Sequence, residues 1–228
     1  MKICAISDLH GYLPEIESCE LVLICGDIIP LNKQDSYRNT QKWYSKIFTE
    51  WANNLPCEKV IFIAGNHDLY LQNHDSLYGN IMFSKTNKIT YLVNEEYEYI
   101  SNDGKIYKIY GTPYCHSFGN WAFMLSDEGL IERYKKIPND VDILITHDQP
   151  YGYGDIILDK DCPWVDGSHI GNIPLRDAIL EKQPKYQFNG HLHSCDHSLI
   201  KIGETNHYNV SLKNEKYESV YEPLYLEI

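Results

Sequence analysis

Short apolar runs bounded by glycine, asparagine or aspartate recur along the chain: Ile3 to Ile6, Leu21 to Ile24, Val60 to Ile63, Val141 to Ile145, and a weaker one from Tyr186 to Phe188. Runs of this length with those boundaries predict buried strands. From Asp35 to Asn54 the period changes. Tyr37, Trp43, Tyr44, Ile47, Phe48 and Trp51 fall at mostly three- or four-residue intervals, which predicts an amphipathic helix with its aromatic face on the sheet. Pro174 to Gln183 predicts a second helix, with Pro174 in its first turn and Leu175, Ile179 and Leu180 on one face. Glu128 to Lys136 predicts a weaker third. Further strands are expected at Ile89–Val93, Tyr97–Ile100, Ile106–Tyr110, Ser198–Ile202, His207–Leu212 and Tyr221–Leu226. Several of these alternate in polarity, as antiparallel strands with one wet face do. The pattern alone predicts a mixed α/β protein, and with no repeat or linker visible, residues 1–228 are expected to form a single domain.

The polar segments that follow the five apolar runs carry the chemistry: Asp8-Leu9-His10, Gly26-Asp27, Gly65-Asn66-His67-Asp68, Thr146-His147 and Gly190-His191-Leu192-His193. They fall at strand ends, where open α/β sheets place their ligand sites. Asp8 and His10 are two apart, as are His191 and His193. On an extended segment such residues point the same way, roughly 7 Å apart, so each pair can serve one centre or two adjacent ones. Carboxylate oxygens, imidazole nitrogens and an amide oxygen suit manganese, iron or zinc. Asp27 has two oxygens and could bridge two ions. Asp8-His10 or Gly26-Asp27 alone reads as an ordinary loop or capping cluster; all five segments in this order read as a two-metal phosphoesterase site. There is no P-loop and no G-x-S-x-G elbow.

The set D-x-H, G-D, G-N-H-D, a lone histidine and G-H-x-H resembles the calcineurin-like metallophosphoesterases, and it spans residues 8 to 193. The middle of the chain, with Tyr110-Gly111-Thr112-Pro113-Tyr114, Phe118 to Phe123 and Leu144 to Asp155, resembles the small metallophosphoesterase-domain-containing proteins related to class III cyclic-nucleotide phosphodiesterases. The resemblance implies two mixed sheets packed as a sandwich flanked by helices, an α/β/β/α order. It implies one ion on Asp8, His10, Asp27 and His193, and another on Asp27, Asn66, His147 and His191. Manganese is the metal expected to support activity, and His67 is the imidazole facing the leaving group. Asp68 is a candidate to orient His67, although neighbours on an extended segment point apart. Two departures stand out: Asp148 replaces a usual glycine and Glu20 a usual aspartate.

Two such ions about 3.5–4 Å apart can make a hydroxide from bridging water and hold the phosphate oxygens. A small phosphodiester, with a cyclic nucleotide as the leading example, is the expected substrate. A phosphomonoesterase or protein phosphatase with the same core is the alternative, and a metal-binding scaffold of low activity a further one. The glycine-rich stretch from Tyr151 to Asn172 predicts a loop starting four residues after His147. Long loops are usually functional or disordered, so Tyr151, Tyr153 and His169 are candidates for the substrate wall, together with Asn66 and His67. Asp155 is a further candidate. His74, His116, His197 and His207 are assigned surface or core roles.

The net charge of −12 changes the picture of partners. It argues against sequence-independent nucleic-acid binding, which needs Lys and Arg against phosphates, but not against a small phosphate ester gripped by metal ions. Seven scattered cysteines without C-x-x-C spacing suit free thiols in a reducing compartment. No run approaches 18 apolar residues, and the start of the chain lacks a charged region followed by an apolar one. A cytoplasmic protein with no membrane association is expected.

Overall fold

The computed structural model describes residues 1–34, 36–74, 76–83, 87–161 and 167–228. In chain order it has strands β1 (Lys2–Ile6) and β2 (Leu21–Cys25), then helical segments α1 (Tyr37–Lys42) and α2 (Thr49–Asn54) joined by a π-helical stretch, Trp43–Phe48. After β3 (Lys59–Ile63) come α3 (Leu69–Gln72), α4 (Ser76–Phe83), β4 (Ile89–Tyr91), β5 (Glu95–Ile100) and β6 (Ile106–Thr112). The two-residue strands β7 (Cys115–His116) and β8 (Met124–Leu125) precede α5 (Asp127–Tyr134), β9 (Ile143–Thr146), α6 (Ile173–Lys182) and β10 (Tyr186–Asn189). β11 (Ile200–Ile202), β12 (Thr205–Asn209) and β13 (Leu224–Glu227) complete the order.

Two large sheets result, β13-β1-β2-β3-β4 and β11-β12-β10-β9-β6-β5, beside the small β7-β8 pair, and both large sheets mix parallel with antiparallel pairs. Side-chain alternation sets the layers. Ile3, Ala5, Leu21, Leu23, Ile61 and Ile63 meet Ile109, Ile143, Ile145 and Phe188 between the sheets. The opposite faces, with Cys4, Ile6, Val22, Ile24 and Phe62, pack on Tyr44, Phe48 and Phe83 from the first helical layer. Tyr110 and Leu144 pack on Leu130, Tyr134, Leu175 and Ile179 of α5 and α6. The order is α/β/β/α, as the resemblance implied.

Local chemistry explains the boundaries. Ser36 caps α1, Ser126 caps α5 and Asn172 caps α6, each accepting a hydrogen bond from a backbone N–H three residues on. Gln183, at φ 48°, ends α6 in the left-handed region. The expected 35–54 helix forms from Tyr37, and Asp35 lies outside the described residues. Tyr37 and Ile47 are exposed, because the buried stripe follows Tyr44, Phe48 and Ala52 at steps of four. Leu180 likewise turns outward while Ala178 packs in its place.

Some strands shift. The expected 207–212 strand is β12 at 205–209; Val210 and Leu212 instead bond to Ser7 beyond β1. The 221–226 expectation is met only from Leu224, because Pro223 has no N–H to give the ladder. The described cysteines, Cys4, Cys19, Cys25, Cys57, Cys115 and Cys195, are free, and Cys162 lies outside the described residues. Among the described residues no helix is long and apolar enough to cross a membrane.

Candidate metal centre

The carboxyl ends of β1, β2 and β3 lie side by side in parallel register, Ile6 against Ile24 and Cys25 against Ile63. The ends of β9 and β10 face them from the second sheet, Ile145 against Phe188. The five polar segments therefore leave the two sheets at one rim. Four of their non-glycine residues have left-handed backbone: Asp8 (φ 55°), His10 (41°), Asp27 (52°) and His191 (69°). Such conformations cost about 1–3 kcal/mol each and persist only where the surroundings over-determine them. Here they do. Asp8 N–H donates to Gly26 O (3.0 Å), His10 N–H to Asp27 O (2.9 Å), and His191 N–H to the Asp8 carboxylate (3.1 Å).

The side chains converge. His193 Nε2 lies 3.3 Å from Asp8 Oδ1, His10 Nε2 3.6 Å from Asp27 Oδ2, and His147 Nε2 3.5 Å from Asp27 Oδ1. Asn66 Oδ1 is 2.9 Å from His147 Nε2. The His191 ring stands 5.0 Å from that of His147, centroid to centroid. Asp8, His10 and His193 could share one ion, and Asp8, Asp27 and His147 another. Asp27 reaches both neighbourhoods, since its second oxygen faces His10.

Three observations fit divalent ions. Both ring nitrogens of His10 lack a hydrogen-bond partner although the side chain is only 2 % exposed, an arrangement rare unless something else meets the lone pair. His147 and His193 are held through Nδ1 by the carbonyls of Cys25 (2.8 Å) and Asn214 (3.0 Å), leaving Nε2 for a metal, the usual support of ligating imidazoles. Gly65 leaves no room for a side chain: a Cβ would strike Asp27 Oδ1 and come within 2.6 Å of His147 Cε1.

Electrostatics agrees with the donor set. Burial alone would raise the carboxyl groups of Asp8 and Asp27, but the facing His193 and His147 imidazoles outweigh it and hold both well below the usual carboxylate range. Burial pushes His10 and His191 down to about 4. It acts on His147 too, yet Asp27 wins there and lifts that ring to about 10. Without metal His147 carries a proton that an ion must displace.

His67 lies at the His10 end of the cluster. Its Nε2 is 4.0 Å from Asp27 Oδ2, its backbone N–H donates to Asp27 Oδ1 (2.8 Å), and its ring packs 4.5 Å from that of Trp121. Its Nδ1 pairs with Gln34 Nε2 at 3.3 Å, not with Asp68. The expected Asp68–His67 pairing is therefore not made. Asp68 turns away and accepts from the N–H groups of Ile28 (3.1 Å), Ile29 (3.1 Å) and Gly65 (2.7 Å), and from Tyr44 OH (2.5 Å). It clamps the Asp27 turn to the Gly65 turn. Burial and the neighbouring Asp27 push its carboxyl up to about 6 despite those donors.

A cavity of about 630 Å³ opens over the cluster, lined by Asp27, Asn66, His67, His191 and His193 together with Phe118, Trp121 and Tyr217. Tyr151, Tyr153 and His169, expected as its wall, are not among the lining residues. Tyr151 lies under the Arg176 guanidinium, Tyr153 packs against the α5–α6 cluster, and His169 bonds Asp155 at 2.6 Å. The loop contributes Ile157 and Ile170 instead, and residues 162–166 lie outside the described set. Asp155 is buried and, besides His169, takes the Gly171 N–H, so it braces the loop.

Tyr217 is a residue the motifs did not flag. Its ring stands 4.8 Å from His10 and 5.3 Å from His193, on a backbone with φ 62°. Asn214 O accepts from both Tyr217 N–H and His193 Nδ1, which ties the tyrosine to a candidate ligand. His116, assigned a surface or core role from sequence, also lines the cavity.

Two mixed sheets with a rim of buried carboxylates, imidazoles and an amide form a site suited to divalent ions. The calcineurin-like phosphoesterase family model matches residues 1–195, and the chain belongs to that family. It is 28 % identical to the UPF0046 protein C25E10.12 of Caenorhabditis elegans, over all of this chain and 81 % of that one. It is also 28 % identical to human metallophosphoesterase domain-containing protein 1, over all of this chain and 71 % of the relative. Among solved structures, TT1561 of Thermus thermophilus superposes with a TM-score of 0.60 at 14 % identity, covering 91 % of this chain and 88 % of that one; this likeness concerns the fold alone.

Proposed function

We propose that the protein hydrolyses a small phosphodiester, with a cyclic nucleotide as the leading substrate class. One ion would rest on Asp8, His10, Asp27 and His193, the other on Asp27, Asn66, His147 and His191, with manganese the metal for activity. Such a pair supplies an activated water and neutralises charge on the phosphoryl group. His67, beside Asp27 and against Trp121, would face the departing oxygen.

The observation that carries the substrate reading is the cavity. Its volume of about 630 Å³ suits a small organic ligand. Phe118, Trp121 and Tyr217 offer aromatic faces beside the metal-ligating rim, and such faces stack on a flat ring such as a nucleobase. The net charge of −12 disfavours polymeric nucleic acid as substrate.

Manganese-loaded protein should be screened against 2′,3′- and 3′,5′-cyclic nucleotides, phosphomonoesters and duplex DNA. Cyclic diesters are expected to be cleaved fastest, with only modest dependence on salt. Fastest cleavage of monoesters, or rapid and steeply salt-dependent cleavage of DNA, would overturn the reading.

A further inference from the structure

Asp148 has no part in the ligand cluster, yet it is among the most completely buried carboxylates of the chain. Its Oδ2 accepts from His116 N–H (2.8 Å), His116 Nδ1 (2.9 Å) and Asn172 Nδ2 (2.8 Å), and its Oδ1 from Gln149 N–H (3.0 Å). Each partner is fixed in turn. Asn172 Oδ1 caps α6 at Leu175 N–H (2.9 Å), and His116 sits on the short β7–β8 pair. Two hydrogen bonds to one carboxylate oxygen, one from backbone and one from ring, leave the His116 imidazole a single orientation.

That orientation has a direction. Nδ1 is committed to the buried carboxylate, while Nε2 has no hydrogen-bond partner among the described residues. The ring lines the same cavity as His67 and His191, and its side chain is 26 % exposed. It stands at the other end of the cluster from His67. Its ring neighbours are Phe118 (5.7 Å) and His191 (6.1 Å), whereas those of His67 are His10, Trp121 and Tyr217. Maintaining a fully buried carboxylate is costly unless its donors are held in place. Here the result is one aimed imidazole.

We propose that His116 is a second substrate-contacting imidazole, whose Nε2 hydrogen-bonds an oxygen on phosphorus other than the departing one, and that Asp148 is the positioning residue that aims it. The inference rests on the phosphodiesterase reading above and deepens it. His67 attends the bond that breaks, and His116 holds the part of the phosphate that stays.

The test uses manganese-loaded full-length protein, with inorganic phosphate as the binding probe and bis(4-nitrophenyl) phosphate as the substrate. His116→Phe keeps the ring volume without Nε2, and His116→Ala is the second variant. Each should bind phosphate about 10–100-fold more weakly, as expected for a hydrogen bond to a charged group. KM should rise by a similar factor and kcat should fall less, with manganese content unchanged. Asp148→Asn should weaken phosphate binding in the wild-type background but have little effect on it in His116→Phe, because its influence passes through the ring. Unchanged phosphate affinity in both His116 variants overturns the contact. An equal Asp148→Asn loss in the two backgrounds overturns the positioning role. A wild-type protein that binds manganese but cleaves no diester would sink the underlying phosphodiesterase reading instead, and phosphate affinity in the variants would still decide the contact.

Discussion

Asp27→Asn is expected to lower the occupancy of both metal positions and to abolish most hydrolysis. The carboxylate offers Oδ2 to His10 and Oδ1 to His147, while Oδ1 also accepts the His67 backbone N–H at 2.8 Å. An amide keeps the shape but loses the charge and turns one acceptor into a donor. Either rotamer then sets an NH₂ group toward a position where an ion needs an oxygen. Loss of a partner that only supports a ligand typically costs 10–100-fold in metal affinity, so loss of a shared ligand should exceed about 100-fold. Asn66→Ala removes an oxygen near His147 alone and should empty mainly one position. Elemental analysis after desalting distinguishes the two variants. Two ions fully retained in Asp27→Asn would mean that Asp27 is not shared.

Asp68→Ala is expected to damage stability more than chemistry. Three backbone N–H groups and the Tyr44 hydroxyl converge on this carboxylate in a buried site, and alanine leaves all four without an acceptor. Each orphaned buried donor costs roughly 1–3 kcal/mol, and water entering the gap recovers part of it. A net loss of about 3 kcal/mol corresponds to a fall in melting temperature of roughly 6–12 °C for a chain of this size. Because Asp68 does not touch His67, alkyl and nitrophenyl esters should lose activity in equal proportion. A melting temperature unchanged by the substitution, with selective loss on the alkyl ester, would restore Asp68 to a role through the imidazole.

These contrasts indicate which features are legible in one sequence. The candidate ligands are local: each follows a short apolar run, and parallel pairing of β1 with β2 and β2 with β3 brings their ends together. The motif glycines are legible for the same reason. At Gly190 a Cβ would overlap Asp8 Oδ2 and Ser7 Oγ, so the G-H-x-H spacing records a close approach between the two sheets. Asp68 misleads because adjacency in sequence stands in for contact, whereas its backbone turns the carboxylate toward Ile28 and Ile29. Tyr151 and Tyr153 mislead in the same way. They follow His147 closely in sequence, but the loop packs them against Arg176 and the α5–α6 cluster.

Other features have no local signal at all. Tyr217 is one of 19 tyrosines and lies beyond the last motif, and its place beside His10 depends on a turn anchored at Asn214. The link from His116 to Asp148 spans 32 residues and two strands that do not pair. The π-helical stretch at Trp43–Phe48 interrupts a segment whose apolar spacing reads as one regular helix.

Hydrolysis is expected to require two ions held at the rim where the sheets meet. The most direct test of this requirement is to strip the protein with EDTA, add manganese back stepwise, and follow bound metal and cleavage of bis(4-nitrophenyl) phosphate in the same samples. Activity should be absent without metal and should rise as the second ion binds, reaching its plateau at two ions per chain. Full activity in the stripped protein, or a plateau reached with a single ion bound, would mean that hydrolysis does not need a second ion at the rim.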